Sequence, residues 1–179
     1  IDASTNFVNG GSLRVLVTHK ENSKPKSKRY EEILSEEEKW NLEEIDTYDI
    51  YKQKINEIIE KTKKFIMNEL ENGRLVIGLG ASTKGNVLLQ ICGIDKNLLP
   101  FISERNKGKV GLRTLGTDIE IISEEKAREI NPSAMLVIPW NFKEEILSRE
   151  KNYIQNGGKM LFLMPYPYYV DKFGEHEIQ

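Results

Sequence analysis

The chain has 179 residues, with 26 Lys and Arg against 28 Asp and Glu, and a single cysteine. That length suits one α/β domain with an attached helical segment, and a net charge of -2 with both signs interspersed leaves no electrostatic footprint for nucleic acid or a membrane surface. No apolar run is long enough to span a bilayer, and the lone Cys92 rules out a disulfide framework and a cysteine metal cluster, which points to a reduced, cytoplasmic setting with no metal.

The chain opens on Ile1-Asp2 without Met or a signal peptide, which suggests a piece of a longer protein. Residues 1–11 hold few apolar side chains and end in the turn signal Asn9-Gly10-Gly11. Residues 12–18 bring Leu13, Val15 and Val17 to one face, the period of a strand. A Lys- and Ser-rich loop with Pro25 follows, then a short charged helix over 30–41.

A long helix is predicted over 47–71. Tyr48, Tyr51, Ile55, Ile58, Ile59, Thr62, Phe65, Ile66 and Leu70 recur every three or four residues, and Asn72-Gly73 closes the pattern. Packing against the following sheet accounts for such a stripe better than a coiled coil does.

After Gly73 strands and helices alternate. Strands are expected at 75–78, 98–103, 117–122, 134–138 and 159–164. Helices are expected at 83–92, from Ser123 to before Pro132, and at 143–155, with a polar, aromatic tail after the last strand. This order implies a Rossmann-like, doubly wound, mostly parallel sheet of about five strands, preceded by a strand and a long amphipathic helix. Two regions are expected: 1–73, a strand, loop and helical segment, and 74–179, the sheet domain. Ligands of such sheets lie at the carboxyl ends of the strands.

The stretch Arg74 to Asn86 is the strongest functional signal. An apolar strand ends in Gly78-Leu79-Gly80 and a helix begins at once, so glycines permit a tight turn and the helix start offers unpaired N–H groups to an anion. Ser82 and Thr83 can cap that helix or donate to phosphate oxygens, and Lys84 adds a charge. The turn departs from the dinucleotide fingerprint, whose third glycine would fall at Thr83, and from the Walker pattern; a plain capped turn is the competing explanation.

Glu104, at the end of the second strand, stands where dinucleotide folds grip ribose hydroxyls, and Arg105 can pair with a phosphate or carboxylate; a solvated turn explains them equally well. Trp140 and Asn141 could stack on a flat ligand or cover the sheet edge. His19 and His176 have no partners at catalytic spacing, and no hydrolytic or metal pattern is present.

Taken together, these segments resemble the carboxy-terminal domain of S-adenosylmethionine-dependent sugar C-methyltransferases. Asn9-Gly-Gly-Ser-Leu-Arg-Val15 is similar to the family's His-Gly-Gly-Ser-Leu-Arg-Val, and Gly80-Ala-Ser-Thr-Lys-Gly-Asn86 looks like its Gly-Ala-Ser-Thr-Lys-Gly-Asn. Glu104-Arg105-Asn106, Gly116-Thr117, Pro139-Trp-Asn-Phe142 and Gly157-Gly-Lys159 follow in the family's order. The resemblance covers nearly the whole chain, apart from the charged 21–46 region.

The resemblance implies a substrate-binding domain for a nucleotide-linked keto-deoxysugar. S-adenosylmethionine would be held by a separate methyl-donor domain that is a partner of this one. Gly80 to Lys84 and Asn86 would hold the diphosphate, and Arg14, Glu104, Arg105, Trp140 and Asn141 would contact nucleotide or sugar. The family's candidate base is the motif histidine; Asn9 stands there, and a neutral amide cannot take the proton. Either another group acts, or substrate or activity differs. The alternatives are a dinucleotide-binding oxidoreductase module and a non-catalytic binding or assembly domain.

Overall fold

The computed structural model describes the backbone of residues 1–179 and every side chain except that of Asn9. Contacts divide the chain into two compact units, Ile1–Ile55 and Asn56–Gln179. The division falls inside the long helix α2, Ile45–Glu71.

In the first unit β1 (Asp2–Asn6) pairs antiparallel with β2 (Ser12–Leu16), Asp2 opposite Leu16 and Asn6 opposite Ser12. Residues 1–11, read from the sequence only as poor in apolar side chains and ending in a turn, therefore supply a strand. Ala3 and Thr5 lie on one side and Ser4 on the other, too weak a pattern to announce it. Helix α1 (Lys28–Lys39) starts at Ser27, whose hydroxyl accepts the Tyr30 amide at 3.1 Å and also bonds Asp2, joined by Arg29. Among the described residues Ala3 is the sole buried apolar side chain of this unit.

The second unit is a seven-stranded sheet. Its strands are β3 (Val76–Leu79), β4 (Phe101–Glu104), β5 (Glu120–Ser123), β6 (Ala134–Val137), β7 (Lys159–Phe162), β8 (Tyr168–Asp171) and β9 (Gly174–Glu177). They are ordered β5-β4-β3-β6-β7-β8-β9. The first five in sequence are parallel and the last two antiparallel. The five expected parallel strands are present. The tail adds a hairpin that its polarity concealed, although Tyr168-Tyr169-Val170 favours extended structure and Gly174 (φ 129°) closes the turn.

Strand residues alternate between two apolar faces. Val76, Ala134, Leu136 and Leu161 point to a layer containing α3 (Thr83–Cys92) and the second half of α2. Ile77, Leu79, Met135, Val137, Met160 and Phe162 point to a layer with α4 (Glu124–Ile130), α5 (Lys143–Arg149) and α6 (Lys151–Gln155). A sheet apolar on both faces has to be covered on both, which is why the strands read as continuous hydrophobic runs. Only the second half of the α2 stripe packs as expected: Ile66 is wholly buried, worth about 2 kcal/mol, and Ile58, Ile59, Phe65 and Leu70 pack beside it, whereas Tyr48 and Tyr51 of the first half are exposed. Gly73 (φ 69°) ends that helix, and the Gly73 and Arg74 amides bond Leu70 and Glu69 carbonyls.

Three boundaries differ from expectation for visible reasons. β4 begins only at Phe101 because Asp95 closes a turn onto Leu98 and Leu99. β5 begins at Glu120, since Thr114 and Thr117 join hydroxyls around Asp118 (φ 54°). The helix expected over 143–155 breaks at Glu150, whose buried carboxylate turns to Arg128 and Arg149. No helix is long and apolar enough to cross a membrane.

At the amino end of the sheet, Glu69 of α2 is 1% exposed and fully engaged. Arg74 grips both its oxygens at 2.8 and 3.1 Å, Lys159 donates at 2.8 Å and Ser133 at 2.8 Å. Burial opposes its ionisation, but the bonds from Lys159, Arg74 and Ser133 outweigh burial and hold its carboxyl below 4.5. A carboxyl depressed in the folded state contributes stability above its ordinary value and loses it as pH falls through the folded one. Glu69→Gln should therefore lower unfolding free energy by about 2–4 kcal/mol at neutral pH. It should also flatten the loss of stability below about pH 4.5, both read from urea titrations across pH.

Candidate functional site

The parallel strands run in the order third, second, first, fourth, fifth, so connections leave in opposite directions on either side of β3 and β6. At such a reversal the loops part and leave a crevice at the carboxyl ends. A cavity of about 300 Å³ opens there, lined by residues 79–82, the end of β4, and the segment after β6.

Its floor is the glycine turn. Gly80 adopts φ 85°, and an added Cβ would stand 2.8 Å from Pro139. Gly85 is the close-packing glycine of helix α3: a Cβ there would lie 1.7 Å from the Ile138 Cγ2 atom. The packing glycine thus sits two residues beyond the fingerprint position at Thr83. Ser82 caps the helix, its hydroxyl accepting the Gly85 amide at 3.0 Å. The Gly80 amide bonds the Ser103 carbonyl and the Ser82 amide bonds the Gly80 carbonyl. That leaves the Thr83 and Lys84 amides, among the described residues, without a protein acceptor.

Glu104 ties the turn to β4. Its carboxylate accepts the Ala81 amide and the Asn106 amide, each at 2.9 Å, and Lys109 reaches the Ala81 carbonyl at 2.8 Å. Burial pushes against its charge, yet the Asn106 and Ala81 amides and the Lys109 ammonium prevail and hold the carboxyl below its ordinary range. It is ionised at neutral pH.

The cavity walls carry three cations, Arg105, Lys109 and Arg149, and three carboxylates, Glu104, Glu124 and Glu145. Each cation faces a carboxylate: Arg105 and Glu145 at 3.8 Å, Lys109 and Glu104 at 3.8 Å, Arg149 and Glu124 at 3.4 Å. A balanced set of donors and acceptors suits a polyhydroxylated group more than a bare anion. Lys84 is exposed, is in no ion pair among the described residues, and stands in the first turn of α3.

Of the sequence-derived candidates, Gly80, Ala81, Ser82, Glu104 and Arg105 line this cavity. Ala81, Ser82, Thr83 and Asn86 line a second, smaller one. Trp140 is partly buried against the second core layer and Asn141 is exposed; neither belongs to the cavity lining. Arg14 is exposed on β2 of the first unit, and Asn9 lies in the short turn Val8–Gly10 before it, its side chain outside the described residues. Cys92 is buried, which pushes its thiol up to about 11. His176 pairs with Asp171 and stacks on Tyr169.

Sequence reasoning missed Lys109, Glu124, Phe142, Glu145 and Arg149 as lining residues. Phe142, Glu145, Ile146 and Arg149 share one face at helical spacing, a signal that was available once α5 was placed on the crevice. Lys109 lies in an irregular crossover between β4 and β5, where no period exists to assign it.

A glycine turn at the switch point of a doubly wound sheet defines a Rossmann-like domain. The family model described as C-methyltransferase C-terminal domain matches residues 7–165, and the chain belongs to that family. It is 29% identical over 167 residues to the C-methyltransferase NovU of Streptomyces niveus, an alignment covering 93% of this chain and 40% of that protein. The chain thus spans less than half the length of this relative.

The close approach at Gly85 gives a direct check. Gly85→Ala should cost about 1–3 kcal/mol by forcing α3 away from Ile138, measured as a lowered thermal midpoint.

Proposed function

We propose that this chain is the substrate-holding part of a C-methyltransferase acting on a nucleotide-linked keto-deoxysugar. What supports the reading best is an open helix start beside a charge-balanced cavity at the switch point of a domain from this family. In this proposal the Thr83 and Lys84 amides and the Lys84 ammonium take the diphosphate. Arg105 and Glu145 meet hydroxyls of the ribose or sugar, while Glu104 holds the turn in place. Trp140 and Asn141 flank the crevice.

Carbon methylation beside a ketone begins when a base removes the C–H proton and the electron pair moves to the carbonyl oxygen as an enolate. The enolate carbon then forms a bond to a methyl group. S-adenosylmethionine supplies that methyl when bound, leaving as a neutral thioether. The residues here fit it poorly, since Glu104, at the ribose-gripping position, is already held by two backbone amides. We therefore assign the donor to a separate methyl-donor domain, the partner of this chain. Asn9 occupies the position of the family's candidate base; its amide cannot accept the proton, so the base comes from elsewhere in the assembled enzyme. The free thiol of Cys92 suits a cytoplasmic setting.

Titration of the chain with thymidine diphosphate, NAD and S-adenosylmethionine tests the assignment. Saturation by thymidine diphosphate alone is expected; saturation by NAD would make this an oxidoreductase module, and binding of none a non-catalytic domain. Lys84→Ala should weaken a nucleoside-diphosphate sugar about tenfold through loss of one charge-assisted contact. Unchanged affinity in calorimetry would count against the turn.

A further inference from the structure

The hairpin of the first unit leaves most of its apolar surface uncovered. Ala3 is buried, whereas Phe7 is 98% exposed, Val17 84%, and Leu13 and Val15 54% each. A two-stranded hairpin is marginal in water, and one that turns its apolar residues to solvent is more so. Its two strands are unlike. β1 offers Asp2, Ser4, Thr5 and Asn6, and Asp2 is held by Ser27 and Arg29. β2 carries Leu13, Val15 and Leu16, with Val17 directly after it. Each strand has one neighbour among the described residues, so the backbone of β2 keeps an open edge beside these apolar side chains. The part of NovU aligned with this chain is 40% of that protein, so most of that enzyme lies outside it.

We propose that β2 continues a β-sheet of the methyl-donor domain, pairing through its open edge and seating Leu13, Val15 and Val17 in that domain's core, with the polar β1 as the outermost strand. The inference rests on the reading that the donor belongs to a separate domain, and gives that domain its docking surface. An added strand gains affinity from main-chain hydrogen bonds and specificity from alternate side chains, and β2 has both to offer. A second copy of this chain is the poorer occupant. Two β2 strands joined about a two-fold axis would pair their backbones, yet leave Leu13 and Val15 of both copies facing water, a doubled apolar face. A domain with its own sheet and covering layer meets the edge and the face together. Methyl transfer also needs the donor held at a fixed distance from this chain, and a shared sheet holds it more rigidly than a flexible linker does.

Amide hydrogen exchange of the chain alone and of the assembled methyltransferase, in which the chain is joined to its methyl-donor domain, tests this. Peptides spanning 12–17 should exchange about tenfold or more slowly in the assembled enzyme. Val17→Glu should leave the thermal midpoint of the chain alone in place and lower that of the assembled enzyme. Equal exchange over 12–17 in the two proteins overturns the proposal without recourse to the variant. Sedimentation of the chain alone should give a monomer; a dimer in which 12–17 is protected overturns the proposal in favour of a second copy. S-adenosylmethionine is titrated into both proteins. Its binding to the chain alone overturns the separate-domain reading and this docking with it. Binding to the assembled enzyme only, with 12–17 still exchanging fast, leaves that reading standing and overturns the docking alone.

Discussion

Four pieces of the sheet domain meet at one carboxylate. Glu69 takes Arg74 from the run into β3, Ser133 from the start of β6 and Lys159 from the start of β7, and it stands itself in the last turn of α2. A buried charge is costly unless every lone pair is answered, and here each oxygen has two donors. The starts of three parallel strands are thereby fixed in relative height, which sets the heights of their far ends. The crevice at the carboxyl edge inherits its geometry from an ion cluster at the opposite edge. The two ends divide the labour: one is closed and fully paired, the other leaves amide groups and a cation free.

The open end is also constrained from inside. Helix α3 approaches the sheet so closely at Gly85 that no side chain fits against Ile138, and that closeness aims the helix start at the crevice. Glu104 reaches back across the turn to the Ala81 amide, so β4 and the glycine turn move as a unit. If the proposed ligand enters the cavity, the balanced pairs along it make binding an exchange of one set of hydrogen bonds for another. Selectivity would then follow from the arrangement of hydroxyls rather than from net charge.

Much of this was legible in the residues. The five parallel strands, helix α3 with Ser82 as its cap, and the long α2 stripe all follow from period and capping chemistry, and the motif order identified the family. The β8–β9 hairpin was hidden because its strands are half polar, with cross-strand pairs such as Tyr169 and His176 making the pattern instead of alternation. The lining residues on α5 and Lys109 were hidden for another reason. A sequence gives spacing along an element, whereas a cavity joins elements that are far apart along the chain. The role of Glu104 was half visible: its strand-end position could be read, but its hold on the Ala81 amide depends on a turn 23 residues earlier.

The outer strand β9 bears on how molecules meet each other. Its backbone is paired on one side only, and its sequence is Gly174-Glu175-His176-Glu177. Were two molecules to join edge to edge, centred on His176, the antiparallel register would set Glu175 opposite Glu177 twice over, like charges on neighbouring rungs. The sheet is thereby discouraged from growing sideways into fibres, and its last strand works as a built-in terminator.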